Sequence, residues 1–270
     1  MQDIERKRRE EEVIERMTFE ACEYAVEQGI RIMEFRYAPD FIAAGKPHLD
    51  FEKIHTAILR GVKRGAHPDL AVGLIGIIQK TLPLASAGKT IEFMIENADT
   101  FVGIDFADQD TMPLATYAPM VTKAREAGLR LTTHAGEVPG PDSPREVSDA
   151  IEVLNAERIG HGIHIINDIP VMDLCKEHNI TLEICLTSNW LTSAVSTTAS
   201  HPIKRLMDYG VPITINSDDP SLFGIDLCHE YEILYREHGF TEEDFRACNQ
   251  RAADASFINP TEKSLVWPCQ

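Results

Sequence analysis

Short apolar stretches alternate with longer amphipathic ones along almost the whole chain, and this alternation constrains the fold most. Strands are expected at 31–37, 69–78, 100–106, 129–137, 158–160, 180–186 and 211–215. Between them, apolar spacing near 3.6 predicts helices over 51–64, 85–97, 115–127, 143–154, 170–178 and 203–209. A helix over about 3–28 precedes the first strand, and helices over 227–237 and 242–257 follow the last. Ser143, with Glu146 three residues on, reads as a capping box opening its helix. Strands separated by helices pair in parallel rather than as hairpins. The expected fold class is therefore α/β, a TIM-type (β/α)8 barrel with only seven strands evident and the first strand missing. No repeat, linker or low-complexity segment divides the 270 residues, so a single domain is expected.

The charge balance, 26 Lys+Arg against 43 Asp+Glu for a net −17, argues against a nucleic-acid backbone as partner. It leaves open a single nucleobase entering a pocket. The longest apolar run, Leu70 to Ile78, is too short to span a membrane. The N-terminal MQDIERKRREEEVIERM carries no apolar stretch of the secretory kind, so a cytoplasmic protein is expected. The six cysteines, Cys269 among them, form no CxxC, which excludes the paired-cysteine type of zinc site and suits reduced thiols.

Chemistry concentrates where three of the strands end. LRLTTHAGE (129–137) runs a strand into His134 and Glu137, with Gly136 allowing a turn between them. Taken alone, that pair fits a buried structural histidine and a surface glutamate equally well. RIGHGIH (158–164) ends its strand in His161 between two glycines, and VPITINSDDP (211–220) runs into Asp218 and Asp219. In parallel barrels the C-terminal strand ends form the catalytic rim. Adjacent carboxylates repel unless a proton or cation compensates them, and a divalent metal is the natural choice. Arg36 reads as a structural ion-pair partner and Asn189 as a brace of the rim loops. His164 and the histidines at 48, 55, 67, 178, 201, 229 and 238 read as structural.

At THAGE, GHG and SDDP, in that order and spacing, the chain resembles the adenosine/AMP deaminase family of metal-dependent hydrolases. FRYAPDF, VGIDFAD, AERIGHGI, ICLTSN and INSDDPSLFG extend the resemblance from about residue 20 to about residue 258. It implies a barrel with one Zn²⁺ at the rim and hydrolytic removal of ammonia from a 6-aminopurine. His134 and Asp218 would ligate zinc, and Asp218 would also take a proton from the attacking water. Glu137 would protonate the purine ring nitrogen beside the attacked carbon, His161 would orient the hydroxide, and Asp219 would hydrogen-bond the five-membered side of the ring. The strand at 100–106 is closed by Ala107-Asp108-Gln109-Asp110, where relatives that recognise adenosine usually carry Ala-Gly-Asp-Glu, so Asp108 would add bulk and charge beside the purine.

The resemblance departs in one further respect. No His-x-His pair precedes His134, whereas the family draws two zinc ligands from such a pair on its first strand. The expectation is that the chain lacks the segment bearing that pair, binds zinc poorly and deaminates slowly or not at all. Adenosine is the expected substrate, with adenine or a modified adenosine next. The competing reading from another class is a catalytically impaired relative that binds a nucleoside or a protein partner. Nothing in the sequence assigns an oligomeric state.

Overall fold

A computed structural model describes residues 2–109 and 111–267, with side chains described from Glu10 onward. Asp110 and Cys269 lie outside the described residues. The seven expected strands form one parallel sheet in sequence order: β1 Ile32–Tyr37, β2 Ala71–Gln79, β3 Gly103–Ala107, β4 Arg130–Ala135, β5 Arg158–His161, β6 Thr181–Ile184 and β7 Ile213–Ile215. Helix α1 (Gln2–Glu27) precedes β1. The crossovers carry α2 (Pro39–Ala43) and α3 (Phe51–Arg64), α4 (Leu84–Glu96), α5 (Ala118–Glu126), α6 (Ser143–Glu152), α7 (Ile169–Glu177), then α8 (Leu186–Leu191) and α9 (Ile203–Tyr209). Four helices follow β7: α10 (Pro220–Phe223), α11 (Leu227–His238), α12 (Glu242–Ala255) and α13 (Pro260–Val266).

Ion pairs across the sheet show how strongly it curls. β1 and β6 stand five places apart, roughly 24 Å in a flat sheet at about 4.8 Å per strand. Yet Arg36 Nη2 on β1 lies 2.5 Å from Glu183 Oε1 on β6, and Arg158 Nη1 on β5 lies 2.6 Å from Glu34 Oε2 on β1. The sheet therefore curls around a shared interior as an open TIM-type barrel, with seven strands among the described residues and β1 and β7 at its edges.

Alternation along each strand sorts the side chains. Glu34, Arg36, Asp105, Thr132, Arg158 and Glu183 share the inward register, whereas Ile104, Phe106, Leu131, Ile159, Leu182 and Ile213 take the alternate positions and join the apolar core beneath the helices. An ionic interior departs from the branched aliphatic filling usual for such barrels. At the N-terminal end the turn after α12 plugs the interior. Ser256 Oγ donates to Glu34 Oε1 at 2.9 Å, the Phe257 amide donates to the same carboxylate, and Arg158 donates to the Ala255 carbonyl. Gly103 makes room for the plug, since a Cβ there would come within 2.7 Å of the Phe257 ring.

Four local readings change. Thr100–Val102 precede β3 rather than belonging to it, because the Thr100 and Phe101 amides turn back to the Asn97 carbonyl. Leu114–Tyr117 form a 3₁₀ turn ahead of α5, between Pro113 and Pro119. The capping box at Ser143 is absent: its hydroxyl is buried against the Val138 and Gly140 carbonyls, and Glu146 instead accepts the Gly136 amide at 3.1 Å. The loops after β1 and β7, and the stretch after α12, contain the short helices α2, α10 and α13, each with proline in its first turn. No described helix is long and apolar enough to cross a membrane.

Candidate active site

Strand alternation delivers His134, the penultimate residue of β4, to the upper interior beside Gly160 of β5. The glycine leaves room for the imidazole there. A Cβ at position 160 would stand 3.2 Å from Cγ and Nδ1 of the His134 ring. His134 Nδ1 meets Asp105 Oδ1 at 3.0 Å, and Arg36 donates to the other carboxylate oxygen at 2.9 Å. Asp105 is fully buried. Burial opposes its charge, but His134 and Arg36 outweigh that and hold the carboxyl well below the ordinary range. Burial likewise opposes charge on His134, and the facing Asp105 carboxylate overcomes it, raising the imidazole above its usual value. Gly160→Ala is expected to push the ring off Asp105 and lower kcat/KM about tenfold. Steady-state kinetics on a variant of unchanged melting temperature checks this, and wild-type turnover would refute it.

His161 ends β5 at φ +62°, a left-handed conformation uncommon outside glycine, and Gly162 follows at φ +67°. Its Nε2 lies 3.5 Å from Glu137 Oε2 and 3.9 Å from Asp218 Oδ2. Burial lowers its affinity for a second proton, offset in part by the Glu137 carboxylate. Asp218 is also left-handed, at φ +58°, and Ser188 Oγ on α8 donates to its Oδ2 at 2.7 Å. Strain of about 1–3 kcal/mol per such residue persists only where the surroundings impose it, and it gathers at functional sites. Glu137 sits in the bend after β4, where Thr192 Oγ1 donates to its Oε1 at 3.2 Å.

The structure thus brings His134, Glu137, His161 and Asp218 together from three strand ends. Asp219 is exposed, and its carbonyl accepts the first amides of α10. Asp108 follows β3 at φ +70°, and its carboxylate is held by Gln79 Nε2 at 3.2 Å and Thr81 Oγ1 at 3.0 Å. Sequence reading passed over Asp105, Cys185 and Ser188. A lone aspartate inside the apolar GIDFA was a usable signal for the first; no local pattern marks the other two.

The donors fit a zinc ion in kind. An imidazole fixed through its other nitrogen by a carboxylate is the usual setting of a metal-bound histidine. The donor atoms of His161, Cys185 and Asp218 also lie within 4.8 Å of one another.

A family model described as adenosine deaminase matches residues 5–267. An adenosine deaminase of Yersinia enterocolitica is 35% identical over 257 residues, spanning 94% of this chain and 76% of that protein. The crystal structure of an adenine deaminase from Arthrobacter aurescens superposes with a TM-score of 0.83 at 25% identity, covering 95% of this chain and 78% of the other. The N6-methyl-AMP deaminase of Arabidopsis thaliana gives 0.81 at 26% identity, covering 95% and 77%.

Proposed function

The chain belongs to the adenosine deaminase family and is a purine deaminase, and from that premise we propose that it hydrolyses adenosine to inosine and ammonia with one zinc ion at the rim. The observation that carries this is the convergence of His161 Nε2 with Glu137 and Asp218 beside a carboxylate-pinned His134. Adenosine is favoured because the 35%-identical relative acts on it, while the adenine and N6-methyl-AMP deaminases are more distant. An acidic rim on a chain of net charge −17 also suits a nucleoside better than a phosphorylated substrate.

His134 and Asp218 would hold the zinc, which when bound supplies a water acidified towards a pKa of roughly 7. Asp218 accepts a proton from the attacking water, kept in place by Ser188. His161 orients the oxygen between Glu137 and Asp218. Attack on the amino-bearing carbon breaks ring conjugation, so the neighbouring ring nitrogen must take up a proton, and Glu137 delivers it. Asp219 meets the five-membered side of the purine. Two assigned protein ligands fall short of the three usual for catalytic zinc, so weak retention of the metal is expected.

The test is elemental analysis of the purified protein, with ammonia release from adenosine and adenine, and methylamine release from N6-methyladenosine, measured in parallel at added zinc. Zinc-dependent release, fastest from adenosine, is expected. Faster release from adenine, or release unaffected by chelation, would refute the reading.

A further inference from the structure

Three hydrogen bonds run outward from the far side of His161. Its Nδ1 lies 2.9 Å from Asn189 Nδ2, Asn189 Oδ1 lies 3.1 Å from His201 Nε2, and His201 Nδ1 lies 3.1 Å from the Ile203 amide nitrogen. Asn189 is fully buried, and His161 and His201 are nearly so. Asn189 lies on α8 and His201 just ahead of α9, so three separate parts of the chain meet here.

The direction of this chain of bonds is determined at its outer end. A backbone amide can only donate, so His201 Nδ1 must accept and carries no proton. Burial pulls His201 down to about 3, so its imidazole is neutral and holds its single proton on Nε2. That N–H donates to the Asn189 carbonyl oxygen, which turns the Asn189 amide group towards His161. The amide donates to His161 Nδ1, leaving the His161 proton on Nε2. Reversing any one link would set two donors or two acceptors face to face in a buried site.

We propose that Asn189 and His201 form a relay, anchored on the Ile203 amide, that fixes His161 as the Nε2–H tautomer. Neither is a catalytic residue; both are positioning residues acting through His161. The relay makes the His161 side chain a hydrogen-bond donor towards the space beside Glu137 Oε2 and Asp218 Oδ2. On the deaminase reading, on which this consequence rests, His161 donates to the attacking oxygen and does not take its proton.

The decisive measurement is a long-range proton–nitrogen correlation spectrum of the full chain labelled with ¹⁵N-histidine, at fixed neutral pH and without substrate. The His161 signal is identified by its loss in His161→Gln. The wild type is expected to show the Nε2–H tautomer. Asn189→Asp, whose carboxylate can only accept, is expected to convert His161 to Nδ1–H and lower kcat ten- to hundredfold, with KM changed less than about threefold. His201→Leu is expected to give a tautomer mixture, whereas His201→Gln, which can still accept and donate, keeps Nε2–H and most of the turnover. An Nδ1–H or doubly protonated His161 in the wild type overturns the proposal, so misfolding of a variant does not protect it. So does Asn189→Asp that folds and retains Nε2–H, or that switches tautomer with kcat unchanged. If the wild type shows the expected tautomer but deaminates no 6-aminopurine, the relay stands and the deaminase reading fails.

Discussion

Glu137→Gln is expected to lower kcat for adenosine by about 10²–10⁴ while leaving KM and the melting temperature near their wild-type values. The amide has the shape of the carboxyl group and can still accept the Thr192 hydroxyl that holds Glu137 at 3.2 Å. What it cannot do is deliver a proton to the purine ring. Charge would then develop on the ring nitrogen without compensation, so the loss falls on the transition state rather than on ground-state binding. The side chain is partly exposed and lies at the rim beside His161 and Thr192, so a change of stability beyond about 0.5 kcal/mol is not expected. Steady-state kinetics with a thermal melt decides it. Turnover within about tenfold of the wild type would assign the proton to another group.

Glu183→Gln is expected to have the largest effect on stability. Its carboxylate lies 2.5 Å from Arg36 Nη2 and 3.1 Å from Arg158 Nε, and accepts the Thr132 hydroxyl at 2.7 Å. Burial opposes the charge, but Arg158 and Arg36 outweigh it and hold the carboxyl at about 2. Neutralising it leaves two guanidinium groups close together in a closed interior. Removing one member of a buried ionic set costs about 3–5 kcal/mol, a fall in Tm of roughly 6–20 °C for a chain of this size. The same pairing sets an acid limb. Because the folded carboxyl sits at about 2, below its ordinary value of 4.5, its contribution is complete above that ordinary value. It fades as pH falls through the interval towards 2. The variant should therefore lose less stability than the wild type over that interval. Melts at neutral and acid pH provide the check, and a Tm within about 2 °C of the wild type would refute the ion-pair account.

These two residues differ in how far the sequence alone marks them. Glu137 was legible because a His and a Glu three apart at the end of an apolar stretch form a local signal. The ordered recurrence of His161 and Asp218 at later strand ends made that signal a candidate site. Glu183, inside ITLEICL, gave no such sign, because its importance comes from residues 147 positions earlier and 25 positions earlier in the chain. His201 is the same case: it looks like an ordinary structural histidine, and it gains its place through Asn189 and His161.

By itself, the sequence determined the alternation of strand and helix, hence a parallel sheet with seven strands, and it placed His134, Glu137, His161 and Asp218 at strand ends. Those features depend on near neighbours: side-chain period, turn residues and the reach of a strand into a loop. Only the tertiary structure decided that the sheet curls until β1 touches β5 and β6, that charged residues fill its interior, and that Asp105, Ser188 and the Asn189–His201 pair orient the rim. Those depend on which strands face one another across a curled sheet, a distance in space that no spacing along the chain encodes.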